Sequence, residues 1–154
     1  MAPTEKNGLS DNINMNTSQA DTENKSPVRI LLAEDNVVSQ QALKLMLQKL
    51  GYMIDIVENG LEALDALDEN KYDLLLMDLE MPKLDGISAA KRILKTHSES
   101  ERPIMIALTG NSSDADKEAC LKAGMDGFIS KPIRLPDLKT LLEKRLAEFK
   151  SRRK

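Results

Sequence analysis

The sequence predicts an α/β fold in which a parallel sheet of five strands carries helices on both faces. From residue 28 onward, five short apolar runs alternate with longer segments that have helical spacing. The first, third and fourth runs are almost continuously apolar, which is typical of strands covered on both faces. Polar or charged residues follow several of these runs, where the carboxyl ends of parallel strands would meet.

Composition favours one soluble domain. The chain has 154 residues, of which 41% are hydrophobic and 31% charged, with a formal net charge of −3. This balance argues against a general affinity for nucleic acid or for a membrane surface. The single cysteine, Cys120, excludes an internal disulfide and a structural zinc, and no apolar run is long enough to span a bilayer. We therefore expect a cytoplasmic protein without nucleic-acid or membrane partners.

The two ends of the chain differ from its centre. Residues 1–26 carry no aromatic side chain and few aliphatic ones, too little apolar surface to offset the entropy of ordering. They are predicted to form a disordered tail. The folded domain is predicted to cover residues 27–150, which leaves 151–154 as a short basic C-terminal tail.

The strands follow directly from the apolar runs. The first, third and fourth strands should be central, while the second carries Asp55 and should lie at or near an edge. The predicted strands span residues 28–33, 52–57, 73–77, 104–108 and 127–130.

The first three helices fill the segments between these strands. A helix over residues 38–50 ends at Gly51, a stop signal. Asn59 caps a second helix that reaches about Asn70, and a third lies between residues 86 and 96. One side of the first helix is expected to carry its apolar residues, namely Ala42, Leu43, Leu45, Met46, Leu47 and Leu50.

The last two helices are predicted from their capping residues. Ser112 or Ser113 can cap a fourth helix that ends at Gly124, and Asp137 can cap a fifth. The residues of the fifth helix expected to face inward are Leu138, Leu141, Leu142, Leu146 and Phe149.

Candidate site residues stand at the predicted strand ends. Glu34 and Asp35 follow the first strand, Asp78 the third, Thr109 the fourth and Lys131 the fifth. All five should converge on one rim of the sheet. Three crowded carboxylates repel one another unless they share a cation, and a ligand set made only of oxygen favours magnesium or manganese over zinc.

This set of groups predicts phosphoryl chemistry at the rim. A carboxylate can attack phosphorus and form an acyl phosphate, so Asp78 is the candidate nucleophile. A hydroxyl group and an ammonium group hold the oxygens of a transferring phosphoryl group, and Thr109 and Lys131 supply them. Each signal alone has a plainer explanation, such as a helix-entry acid pair for Glu34 and Asp35 or a turn for Asp78. Only their combination predicts the site.

Four short motifs resemble those of the response-regulator receiver domains of two-component signalling. They are AEDN at 33–36, MDLEMPKLDG at 77–86, ALTG at 107–110 and KP at 131–132. The sequence around these motifs is most similar to that of the receivers of hybrid sensor histidine kinases. The resemblance implies a flavodoxin-like (βα)5 three-layer sandwich with strand order 2-1-3-4-5.

The resemblance also implies how the site works. Asp78 would take a phosphoryl group from a phosphohistidine on a histidine kinase or a histidine phosphotransfer protein. Magnesium would be held by Asp35, Asp78, the backbone carbonyl of Glu80 and, through water, Glu34. Thr109 would bind the phosphoryl group together with the lysine of the KP motif.

A conformational switch is implied as well. Thr109 would swing toward the phosphoryl group while Phe128 turns inward, and because phenylalanine has no hydroxyl group, packing alone would distinguish the two states. The Lys131–Pro132 bond is expected to be cis. Output would pass to a downstream protein through the face formed by the fourth helix, fifth strand and fifth helix, from a monomer or a phosphorylation-dependent dimer.

Several alternatives remain open at this point. Glu80 could tune the lifetime of the aspartyl phosphate, or be a solvated loop acid whose backbone alone matters. The whole chain could be a phosphorylation-independent scaffold on the same fold, or a magnesium-dependent phosphatase with an aspartate nucleophile. We expect a signalling phosphoacceptor that catalyses only its own phosphorylation and dephosphorylation.

Overall fold

The computed structural model describes residues 28–110 and 113–152, and for 149–152 the backbone alone. The predicted tail over 1–26, Ser112 as a cap and the side chain of Phe149 lie outside this description. The elements alternate in chain order as β1 Arg29–Ala33, α1 Val37–Lys49, β2 Met53–Val57, α2 Gly60–Glu69, β3 Leu74–Asp78, α3 Gly86–Thr96, β4 Ile104–Thr109, α4 Asp114–Lys122, β5 Gly127–Ser130 and α5 Leu135–Arg152.

The five strands form one parallel sheet in the order β2-β1-β3-β4-β5. This confirms the predicted α/β fold and its strand order. The three strands predicted to be central are central, and β2 lies at an edge as its Asp55 indicated. None of the helices among the described residues combines the length and apolar character that crossing a membrane needs.

Alternate residues of the central strands bury their side chains in two separate cores. Leu31, Leu75 and Met105 point to the side covered by α2, α3 and α4. Ile30 and Leu74 point to the side covered by α1 and α5. The sheet is therefore apolar on both faces, and its polar chemistry is confined to the strand ends.

Two capping predictions are confirmed and one is wrong. Asn59 accepts a hydrogen bond from Glu62 N–H at the start of α2, and Ser113 does the same for Asp116 at the start of α4. Asp137, however, lies in the first turn of α5, which begins two residues earlier. Pro136 is tolerated there because first-turn amides have no partner within a helix.

The prediction that six apolar residues of the first helix share one side is wrong for two of them, Ala42 and Leu45. Leu43 and Leu47 are buried, but Leu45 is 61% exposed and Ala42 is exposed as well. Val38, Ala42 and Leu45 have the spacing of a second stripe on the helix, and this stripe faces solvent. The helix is thus apolar on two faces, and only one of them packs against the sheet.

Candidate functional site

The chain delivers Asp78 to the carboxyl end of the sheet as the last residue of β3, a strand that is buried along its whole length. Asp78 itself is 7% exposed. Its Oδ1 accepts a hydrogen bond from Glu80 N–H at 3.0 Å. A strand with neighbours on both sides has no freedom to slide, so the position of this carboxylate is fixed by the sheet.

Lys131 lies beside Asp78 and neutralises part of its charge. Its Nζ is 2.9 Å from Asp78 Oδ2 and 3.0 Å from Glu34 Oε1. The Lys131 backbone N–H donates to Thr109 O at 2.8 Å, which ties the segment after β5 to the end of β4. The Lys131–Pro132 bond is cis, as the resemblance implied.

Glu34 is the most enclosed acid of the site, with no exposed surface. Its backbone N–H donates to Val57 O at 3.0 Å, and its Oε2 accepts from Asn36 N–H at 3.1 Å. The buried amide of Gln40 donates to Glu34 O at 2.6 Å. Sequence reasoning missed Gln40, although a polar residue three positions before the buried Leu43 is a usable signal.

Burial and pairing shift the pKa values of Glu34 and Lys131. Burial raises the pKa of Glu34, and the hydrogen bonds from Lys131 and Asn36 only partly offset it. Burial alone would lower the pKa of Lys131, but its hydrogen bonds to Asp78 and Glu34 outweigh burial, so the net shift is upward. Lys131 is therefore held as a cation between two acids.

Glu34, Asp35 and Asp78 form the only group of three or more potential metal ligands in the described ranges, 28–110 and 113–152. One carboxylate oxygen from each lies within 4.8 Å of the other two. Lys131 offsets one of the three negative charges, so the cluster keeps an excess of negative charge. Oxygen ligands with an unbalanced charge suit a hard divalent cation.

Thr109 and Asp78 line one cleft of about 370 Å³. Thr109 is 4% exposed at the end of β4, the strand that pairs with β3. The exposed Glu80 also lines this cleft. The remaining wall is formed by Leu79, Ile87, Gly110, Asp116 and Ala119.

Phe128 is placed apart from the acid cluster. It is half-buried on β5 and packs against the core on the α2, α3 and α4 side. The Nζ of Lys117, from α4, lies 5.3 Å from the centre of its ring, a cation–π contact. The predicted acids, Thr109 and Lys131 thus meet at one rim, and Phe128 lies behind them under α4.

Comparison with known families and proteins gives a consistent picture. The family described as "Response regulator receiver domain" matches residues 30–143. "Histidine protein kinase 1" of Candida albicans is 44% identical over 128 residues, which are 77% of this chain and 5% of that protein. "Osmosensing histidine protein kinase SLN1" of Saccharomyces cerevisiae is 37% identical over 146 residues, 91% of this chain and 12% of that protein. The chain therefore spans only a small part of these relatives.

A solved structure shows the same likeness. The receiver domain of a sensor histidine kinase from Pseudomonas aeruginosa matches with a TM-score of 0.72 and 37% sequence identity. The match covers 79% of this chain and 99% of that domain. In that structure a magnesium ion is coordinated in the active-site cleft.

Proposed function

Because this chain belongs to the response regulator receiver domain family, we propose that it works as a phosphoacceptor in which Asp78 takes a phosphoryl group from a phosphohistidine. The chain is homologous to receiver domains of hybrid histidine kinases, which places it in two-component signalling. One observation carries the choice of residue. Lys131 Nζ contacts both Asp78 and Glu34, so the ammonium and the acids share one site.

The proposed reaction is a transfer between two nucleophiles. A carboxylate oxygen of Asp78 attacks phosphorus, the P–N bond of the phosphohistidine breaks, and its electron pair returns to the imidazole nitrogen. The product on this chain is an acyl phosphate. Lys131 and Thr109 bind the phosphoryl oxygens, and the rigid end of β3 keeps the attacking carboxylate in place.

Glu34, Asp35, Asp78 and the backbone carbonyl of Glu80 are the groups we propose to hold magnesium, with Glu34 acting through water. The geometric support is the set of three carboxylate oxygens within 4.8 Å. When bound, the ion supplies positive charge that stabilises the phosphoryl oxygens during transfer. Manganese takes the same oxygen ligands and is the second metal that this site would accept.

The apolar stripe of α1 is the surface we propose for docking of the phosphohistidine protein. Val38 is 78% exposed and Leu45 61% exposed, although both are apolar. Val38, Ala42 and Met46 also line a groove of about 240 Å³ whose other wall is Lys131, Pro132 and Ile133. Because Lys131 borders both the groove and the acid cluster, a protein seated in the groove would lie next to the cluster that contains Asp78.

We further propose that the receiver domain covers residues 27–150 and acts in the cytoplasm, with a histidine kinase or a histidine phosphotransfer protein as its donor. Its only chemistry would be its own phosphorylation and dephosphorylation. Thr109 and Phe128 would transmit the change to the surface of α4, β5 and α5, where a downstream protein or a second copy would bind. Supporting this route, Phe128 of β5 already contacts Lys117 of α4.

Incubation with acetyl phosphate and magnesium chloride, followed by intact-mass measurement, tests the proposal. The protein should gain the mass of one phosphoryl group, and alkali should remove it because acyl phosphates are labile to base. Asp78→Asn should abolish the gain, while Asp126→Asn, a change outside the cleft, should not. A stable adduct in Asp78→Asn, or none in the wild-type protein, would reject Asp78 as the acceptor.

A further inference from the structure

The loop between β3 and α3, residues 79–85, is held in place by a residue outside the acid cluster. Gly60, the first residue of α2, is buried, and its N–H donates to Leu84 O at 3.1 Å. The first four amides of a helix have no partner within the helix. One of these amides, that of Gly60, is therefore hydrogen-bonded to the loop that follows Asp78.

Only glycine fits at this contact. A Cβ atom on Gly60 would collide with Leu84 O and would lie 2.9 Å from Leu84 Cβ. The described glycines with positive φ are Gly51 and Gly124, so Gly60 is not required for an unusual backbone angle. It is required because two backbones approach closely.

The backbone of this loop is restricted by one unusual angle and two internal hydrogen bonds. Lys83 adopts a left-handed conformation with φ of 67°, and Leu84 N–H donates to Pro82 O at 2.7 Å, which makes a tight turn. At the end of the loop, Gly86 N–H donates to Leu79 O at 3.0 Å. We therefore expect a shift at Leu84 to displace the backbone between Leu84 and Asp78.

Glu80 lies in the stretch that would move. Its N–H is bonded to Asp78 Oδ1 at 3.0 Å, and its carbonyl is one of the groups proposed above to bind magnesium. The other proposed ligands are the carboxylates of Asp78, at the end of β3, and of Glu34 and Asp35, which directly follow β1, and none of them belongs to this loop. The Glu80 carbonyl is the ligand whose position depends on the loop.

We propose that Gly60 is a positioning residue for the magnesium-binding loop, acting through Leu84 and touching neither the metal nor the phosphoryl group. This inference rests on the proposed function, since it assumes that the loop carries a metal ligand. The start of α2 would then help to position a metal ligand, the Glu80 carbonyl, that lies outside this helix.

Gly60→Ala tests the inference with magnesium itself as the probe. Backbone amide resonances of the 15N-labelled protein are followed during a Mg²⁺ titration, and phosphorylation by acetyl phosphate is measured at each concentration. The magnesium dissociation constant should rise about tenfold, as for other supports of metal ligands. Amide resonances of the non-proline residues in 79–86 should shift before metal is added, and saturating magnesium should restore most of the rate. An unchanged dissociation constant would overturn the proposal.

Gly51→Ala is the matched control. Gly51 has φ of +90° and no neighbouring atom within 4 Å of an added Cβ, so alanine there strains the backbone without touching the loop. This variant should lose thermal stability and keep its magnesium affinity. An equal loss of affinity in Gly51→Ala would mean that general destabilisation explains the effect, and the proposal would be rejected.

A second variant decides the question if Gly60→Ala does not fold. Asn59→Ala removes the side-chain oxygen that accepts from Glu62 N–H at 2.9 Å and loosens the start of α2 without adding an atom. It should weaken magnesium binding and shift the same loop resonances, and unchanged binding would overturn the inference. Failure of the wild-type protein to bind magnesium or accept phosphoryl would instead refute the proposed function.

Discussion

Lys131 Nζ lies 2.9 Å from Asp78 Oδ2, although 53 positions of sequence separate the two residues. The same ammonium is 3.0 Å from Glu34, so it joins the ends of β1, β3 and β5. The ammonium that contacts the Asp78 carboxylate is therefore in place to neutralise the oxygens of a phosphoryl group bound there.

Lys131→Ala should slow phosphorylation by acetyl phosphate about 100-fold, because it removes a charge that stabilises the transferring group. Magnesium binding should not weaken, since the acid cluster becomes more negative. Lys131→Arg keeps the charge and should recover part of the rate. Intact-mass time courses and a Mg²⁺ titration measure both quantities, and a rate within twofold of the wild type in Lys131→Ala would contradict the assigned role.

Thr109→Val should slow the same reaction about 10- to 100-fold, because valine keeps the shape of threonine but has no hydroxyl group for the phosphoryl oxygens. Thr109→Ser keeps the hydroxyl group and is the control. The mass-adduct time course again provides the measurement. Equal rates in the valine and serine variants would exclude a role for the hydroxyl group.

Glu80→Ala and Glu80→Gln should lengthen the half-life of the aspartyl phosphate severalfold. The exposed Glu80 lines the cleft beside Asp78, and from there its carboxylate is expected to orient a hydrolytic water. The decay of the purified phosphorylated protein is followed by intact mass. If both variants decay at the wild-type rate, the side chain is a solvated loop acid and only its backbone matters.

Val38→Asp should slow phosphoryl transfer from a phosphorylated histidine phosphotransfer domain about tenfold or more, because a charge would be buried in the proposed apolar contact. Phosphorylation by acetyl phosphate should stay near the wild-type rate, since this small donor needs no docking surface. Leu121→Asp changes a leucine on α4 that is 58% exposed and serves as the control. Equal transfer rates in the two variants would place the docking surface elsewhere.

The raised pKa of Tyr72 predicts that the folded protein loses stability in alkaline solution. Burial, followed by its hydrogen bond to Asp55 Oδ2 at 2.5 Å, raises the pKa of Tyr72 to about 12 from 10.0. The folded state therefore favours the neutral phenol, and the stabilisation present below pH 10 is lost as pH rises toward about 12.

Tyr72→Phe removes this titration. The free energy of unfolding of the wild type, measured in urea, should fall relative to that of Tyr72→Phe by about 2 kcal/mol across this window. Titrations common to both proteins, such as those of lysines, cancel in the difference. A difference that stays constant from pH 10 to about 12 would show that the phenol has an ordinary pKa.

Much of the fold is already determined by local sequence. The nearly continuous apolar runs before Asp78 and Thr109 predicted central strands, and both residues lie at strand ends as expected. Asn59 predicted the start of α2 to the residue. These features follow from side-chain periodicity and capping, which act over a few neighbouring residues.

The predicted chemistry depended on strand ends of one sheet lying together. Because parallel strands end at one rim, the sequence alone predicts that Glu34, Asp78 and Lys131 lie together. The contact between Lys131 and Glu34, 97 positions apart, is a fact of the three-dimensional structure. The motifs predict that Lys131 and Glu34 lie close together, but not the distance between them or which atoms are in contact.

Other features were decided only by tertiary packing. Leu45 is apolar and helical, yet it faces solvent because the sheet covers only the stripe that contains Leu43. Gln40 is polar, yet it is buried because Glu34 O offers it an acceptor. Gly60 must be glycine because the loop after Asp78 crosses directly above it. Sequence by itself determined the strands, most caps and the identity of the reactive groups. Which surfaces are in contact depends on how distant segments of the chain pack together. Local periodicity carries no information about this packing, so only the tertiary structure decides it.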